Sequence, residues 1–184
     1  LVTPFKIGVK YIDFCKLLHI EKKGDFIQET FEAFKKMHII SFSKQKKIMP
    51  TFLILSGDGV LSMLMYDASI KTTTYRKINE IAAEIRAGAN IAAVFYVGEM
   101  IYYNDINLLN LDYRHRIKHM HSELLSFDLI TKNDSAQYLV SKEAIIENSK
   151  DCLFPTLTKV KTKDGSSFMY PIINAFLEVQ KKKE

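Results

Sequence analysis

At 184 residues, with 47% apolar side chains and only 7 Gly and 4 Pro, the chain has the length and apolar content for one domain with a substantial core, which excludes a loop-rich or disordered segment. Its net charge of +5 is scattered over Lys22, Lys23 and residues 44–47, 114–118 and 181–183, so no single stretch has the makeup of a nucleic-acid arm. No apolar run reaches the roughly 18 to 20 residues of a membrane-spanning helix, and Cys15 and Cys152 lie far apart, with neither a disulfide framework nor metal-ligand spacing around them. The expectation is a soluble, cytoplasmic chain with free thiols. It starts Leu-Val-Thr, which leaves the native start open.

Phe5, Ile7 and Val9 alternate as a strand does, and Tyr11, Ile12, Phe14, Cys15, Leu17 and Leu18 then fall near helical spacing, which predicts a short extended segment and a helix. Asp25 is a helix N-cap. After it Phe26, Ile27, Thr30, Phe31, Phe34 and Met37 make a broad apolar stripe opposite Gln28, Glu29, Lys35 and Lys36, a helix over residues 25–37 suited to covering a sheet. Residues 41–47 are polar and basic and read as a loop.

Residues 49–104 hold the densest apolar sequence and form the expected core: strand, turn, strand, helix, strand. Residues 51–55 and 60–66 are apolar runs around Ser56, Gly57, Asp58 and Gly59, and the glycines supply the positive φ angles that reverse a chain between antiparallel strands. Thr72, Thr73 and Thr74 offer hydroxyls to a helix start. Tyr75, Ile78, Ile81, Ala82 and Ile85 repeat at helical spacing until Gly88, with Arg76, Lys77, Glu80, Glu84 and Arg86 on the opposite side. In the following run Ile91, Ala93, Phe95 and Val97 are expected on one face and Ala92, Val94 and Tyr96 on the other. Neither is polar, as in an inner strand covered on both sides. Ile54, Leu64, Ile81, Val94 and Phe95 are the expected fully buried core. Beyond Asn104 the pattern loosens, and a second hairpin follows around residues 132–135, a short helix over 142–148, a third hairpin around Asp164-Gly165, and a closing helix over 172–180. The fold class is α+β, a largely antiparallel sheet built from hairpins with helices packed on it, in one domain over 1–184 with a core at 25–142 and a C-terminal hairpin and helix at 143–184.

The order of helix, Pro50-Thr51-Phe52-Leu53-Ile54-Leu55 strand ending in Asp58-Gly59, second strand, helix and alanine-rich strand resembles a loose group of small bacterial and phage-associated hypothetical α+β proteins. The matching positions are Ala92, Ala93, Val94, Val97, Glu99 and either Arg114 or Arg116, within residues 25–142. Those proteins commonly carry a tryptophan soon after the glutamate, where this chain has Met100-Ile101-Tyr102. The resemblance implies a fold and no mechanism.

His115, His119 and His121 with Glu123 form the one histidine concentration. On a helix His115 and His119 share a side, and in an extended segment His119 and His121 do, so either geometry supplies two metal ligands and needs a third such as Glu99 or Asp128. Against the pattern of JAMM-type metalloproteases the required serine position holds Leu129 and the aspartate position Lys132, so that motif fails. A basic, solvated loop is the plainer account of these histidines. Glu99 ends an apolar strand, where a buried carboxylate serves as a general acid or base or, more often, pairs with an arginine such as Arg114 or Arg116. The Ser56 to Gly59 turn lacks phosphate-loop spacing, and no Gly-x-Ser-x-Gly or nucleophilic cysteine context occurs.

By elimination the expected role is a non-enzymatic interaction or assembly domain without a cofactor. Its contact surface is Tyr102, Tyr103, Arg114 and Arg116 with the outer side of the strand at residues 61–65, and its partner is a second copy or another protein. A second copy enters because both core helices are expected on one side of the sheet, leaving the other to the terminal helices or to a partner. The alternatives are a metal-assisted hydrolase using His115 to His121 and Glu99, and a nucleic-acid module using residues 44–47 and 114–118.

Overall fold

A computed structural model describes residues 5–67, 71–160 and 167–182 of the chain. Strand β1 (Phe5–Lys10) runs into helix α1 (Tyr11–Leu17), followed by α2 (Phe26–Gln45), the hairpin β2 (Thr51–Ser56) and β3 (Val60–Met65), α3 (Lys71–Arg86) and the long strand β4 (Ile91–Tyr102). A 3₁₀ turn (Ile106–Asn110), the one-turn helix α4 (Tyr113–Arg116) and a second 3₁₀ turn (Ile117–His119) lead to β5 (Ser122–Thr131), β6 (Ser135–Ser141), α5 (Lys142–Lys150), β7 (Thr158–Lys159) and α6 (Tyr170–Lys181). The strands pair in the order β1-β3-β2-β4-β5-β6-β7, and every pairing is antiparallel. The architecture is the expected α+β sheet of hairpins with helices on it.

The two core helices lie on opposite faces, not on one. α2 lays Phe31, Phe34, Ile39 and Phe42 on the face made by Leu53, Leu55, Ala93, Phe95, Val97, Leu125 and Phe127, with α1 and α5 beside it. α3 sets Ile78, Ile81, Ala82 and Ile85 on the other face with α6, whose Ile172, Ala175 and Phe176 complete the layer. β3 and β4 both run antiparallel to β2, which lies between them, so they run parallel to each other and α3 is a crossover over β2, whose handedness and not the spacing within α3 sets the face it takes. Arg86 ties the two helices by a forked contact to Glu178, Nε to Oε2 at 2.8 Å and Nη2 to Oε1 at 3.2 Å. Both faces of the central strands are therefore covered from within the chain, and a second copy is not needed for that purpose.

Local chemistry accounts for most boundaries. Asp25 caps α2 by accepting from the Ile27 and Gln28 amides, and Gly59, at φ +82°, closes the β2–β3 turn by donating to the Ser56 carbonyl at 3.0 Å. α2 does not end at Met37. Its buried spacing continues through His38 and Phe42, so residues 41–45 stay helical despite their polarity, and Lys46 in a left-handed conformation ends the helix by donating to the Phe42 carbonyl. Glu29 and Lys35 are buried rather than solvated, Glu29 accepting from the Gly24 amide and Lys35 lying over the Phe31 and Tyr138 rings while bonded to Glu32. α3 starts at Lys71, so the threonines fall inside its first turn, and Thr74 accepts a hydrogen bond from Tyr66 instead of capping the helix.

Four further expectations are corrected. Ile54 and Leu64 are only half-buried, because α3 and α6 lie over β2, β4 and β5 and leave the outer side of β3 open. At the start of β4 a bulge between Leu55 and Ser56 shifts the register, which puts Ile91 on the α3 side and Ala92 on the α2 side. Tyr75 leaves the buried stripe of α3 and is 54% exposed. The third hairpin is absent as such: β7 pairs with β6, whereas Ser167–Met169 is a 3₁₀ turn leading into α6, and the Asp164-Gly165 turn lies outside the described residues.

Candidate functional site

The face under α3 and α6 contains a line of buried polar groups. Tyr96 on β4 stands opposite Asp128 on β5, and Asp128 stands opposite Gln137 on β6. Ser126 donates to the Asp128 carboxylate at 3.3 Å and accepts from the Gln137 amide at 2.8 Å, and all three residues are buried. At the other end of the line the Tyr96 hydroxyl is bonded to Tyr66, which donates to Thr74 Oγ1 at 3.0 Å. Burial pushes both phenols above their ordinary pKa, Tyr96 further because the charges of Tyr66 and Asp128 add to it, so both are neutral across the physiological range. Gly98 is required here: a Cβ at that position would overlap the hydroxyl and ring of Tyr96, which lies back over the glycine.

This polar line borders a cavity of about 780 Å³ at the end of the sheet. Tyr66, Thr74, Tyr75, Tyr96 and Phe168 contribute to its walls, with Met49 and Pro50 at one side and Lys47, Asp67 and Glu99 as its charged members. Tyr96 and Phe168 meet edge to face, with ring centroids 5.4 Å apart. None of Tyr66, Tyr75 and Tyr96 is marked as a site residue by its place in the sequence. The signal was present in β5, where Ser126 and Asp128 alternate with Leu125, Phe127 and Leu129, so one face of an otherwise apolar strand is polar.

Glu99 is exposed, not buried, and its partner is neither Arg114 nor Arg116. Lys142 at the start of α5 bridges it to Glu123, with its Nζ 3.0 Å from a carboxylate oxygen of each. Burial opposes the charge on Lys142, but hydrogen bonds to Glu123 and Glu99 outweigh that and hold its pKa above the ordinary lysine value. Glu99 is therefore engaged with Lys142 at the protein surface and not held in an apolar site.

The histidines do not converge. His115 Nδ1 is 2.6 Å from the Asp112 carboxylate, which holds that carboxyl below the usual range, and His121 Nδ1 accepts from the Asn104 amide at 2.9 Å with its ring edge-on to Tyr102. His119 is exposed in the 3₁₀ turn between them. Among the described residues no three His, Cys, Asp or Glu side chains come together to hold a metal. Cys15 is buried, with its thiol pKa pushed up mainly by burial, and Cys152 is exposed; both are free.

No family model, curated protein or solved structure matches the chain. Its own geometry is the remaining guide. Among the described residues no helix is long and apolar enough to cross a membrane.

Two further surfaces stand out. Between β4 and β5, which pair continuously from Ala93 and Thr131 to Tyr102 and Ser122, residues 103–121 form an excursion off the sheet end. Within the excursion Arg116 sits over the Tyr103 ring at 5.6 Å and donates to the Leu109 carbonyl at 3.3 Å, so Tyr103 and Arg116 are half-buried braces, while Tyr102 and Arg114 are exposed. The Arg116 Nε is buried without a hydrogen-bond partner. On the open side of β3 a groove runs beside α3, walled by Ile54, Val60 and Leu64 from the sheet and Lys77, Glu80 and Glu84 from the helix. Glu80 is paired with Lys77 and Arg76, but Glu84 forms no ion pair among the described residues.

Proposed function

We propose that the chain is a non-enzymatic assembly domain that associates with a second copy of itself, the excursion of one protomer lying in the β3–α3 groove of its partner. One observation carries the reading: Tyr102, Leu109, Leu111, Tyr113 and Met120, all in or next to the excursion, are each between 39% and 57% exposed, a concentration of apolar surface in one segment. Arg114 and Lys118 are exposed among them, and neither forms an ion pair among the described residues. The groove is complementary, half-buried aliphatics beside the carboxylate of Glu84, which forms no ion pair among the described residues. Two such contacts related by a twofold axis make a closed dimer.

Glu99 is engaged by Lys142, and His115 and His121 turn to different partners, Asp112 and Asn104, which favours assembly over the hydrolase reading. The experiment is sedimentation velocity at micromolar concentration on the wild type, Arg114→Glu, Glu84→Arg and an equal mixture of the two variants. The wild type and the mixture are expected to sediment as dimers and each variant alone as a monomer, since the mixture restores opposite charges at both contacts. A monomeric wild type, or single variants that remain dimeric, would remove the proposal.

A further inference from the structure

We propose that the cavity walled by Tyr66, Tyr75, Tyr96 and Phe168 binds a small organic cation, an alkylated ammonium group. Four aromatic rings reach it from separate parts of the fold, the end of β3, the first turns of α3, the middle of β4 and the turn before α6. The face of an aromatic ring is electron-rich and attracts a cation, most strongly one that is weakly hydrated. Tyr75 is the ring free to respond: it stands 54% exposed on a helix whose buried stripe passes it by, so packing does not explain its orientation.

Charge points the same way. Among the described residues Asp67 and Glu99 are the carboxylates of the wall and Lys47 is its exposed lysine. Although Glu99 is bridged by Lys142, that lysine is shared with Glu123, so the group these three residues form has two carboxylates to one ammonium. An anion would meet Lys47 but also both carboxylates. The floor adds neutral dipoles only, because the Tyr96 to Tyr66 to Thr74 hydroxyl chain is satisfied internally. The cavity volume of about 780 Å³ lies in the range that small ligands occupy, about 300 to 1,000 Å³.

The test is an amide-resolved NMR titration of the full chain with choline, with its uncharged isostere 3,3-dimethylbutan-1-ol, and with inorganic phosphate. Choline is expected to shift the Thr74, Tyr75 and Glu99 amides saturably with a dissociation constant of about 1 mM or tighter, and the isostere to bind at least about 10-fold more weakly. Tyr75→Ala is expected to weaken choline about 5- to 30-fold, while Tyr75→Phe retains it, because the attraction needs the ring and not the hydroxyl. Equal binding of the isostere shows an apolar pocket without cation recognition and overturns the proposal. So do phosphate shifts at these amides, no saturable choline shift by about 20 mM, and full choline affinity in a folded Tyr75→Ala protein.

Discussion

The two faces of the sheet are the front and back of the same strands, yet they are made of different chemistry. Toward α2 the strands present Leu53, Leu55, Ala93, Phe95, Val97, Leu125, Phe127, Leu129 and Val140, and the buried Thr51 among them bonds locally to the Met49 carbonyl. Toward α3 and α6 they present Phe52 and Val94 but also Tyr96, Ser126, Asp128 and Gln137. An apolar face needs only volume and can be closed completely, as the stacked Phe31 and Phe95 rings close this one. A polar face must place every donor against an acceptor, which constrains geometry and leaves the cavity at its edge. The first face supports the fold, and the second holds the residues whose arrangement packing alone does not explain.

The largest effect that tests this contrast is expected on the apolar face. Phe95→Ala removes a fully buried ring stacked against Phe31 and is expected to cost about 3 to 5 kcal/mol in a denaturant titration. A loss under about 1 kcal/mol would mean that α2 is not held by this layer.

His38 gives the second. Its ring packs edge-on against Phe34 at 4.4 Å, its Nδ1 donates to the Phe34 carbonyl, and burial lowers its pKa to about 4. As pH falls below about 6.5 the unfolded chain takes up a proton that the folded chain refuses until pH nears 4, so stability declines through that window. The decline assigned to this residue is about 3 kcal/mol in all, and His38→Leu is expected to flatten that part of a stability curve measured between pH 7 and 4. An unchanged slope in the variant would place the acid sensitivity elsewhere.

On the polar face the expected effect is smaller but more specific. Tyr66→Phe leaves the buried Tyr96 hydroxyl without its acceptor at almost no change in volume, a cost of about 1 to 3 kcal/mol by thermal or chemical denaturation. A loss below about 0.5 kcal/mol would show that the hydroxyl chain is not a constraint, and the contrast between the faces would lose its basis.

What the sequence revealed follows from how local each determinant is. The Ser56 to Gly59 turn, the Asp25 cap and the stripe of Ile78, Ile81 and Ile85 are read from neighbouring residues, and each formed as expected. Which face a helix covers is a tertiary choice, so the placement of α2 and α3 on opposite sides was not readable from their spacing. The same holds where a distant partner decides: Glu99 gained Lys142 across 43 positions of chain, Thr74 was taken by Tyr66, and polar residues 41–45 were held in a helix by Phe42. The cavity was the least visible feature, since its walls come from segments that no local pattern joins.

The order in which the chain is made gives the Arg86 to Glu178 tie a further meaning. Synthesis proceeds from the N-terminus at about 5 to 20 residues per second, so β2 to β6, each adjacent in space to a strand close in sequence, can pair while α6 is still being assembled. During that interval Val94 and Ile130 lack the cover that Ile172, Ala175 and Phe176 later supply. Glu178 can therefore meet Arg86 only once α6 has been made. Until then a chaperone reading exposed aliphatic surface would find the α6 side of the nascent sheet, and not the α2 side, still open.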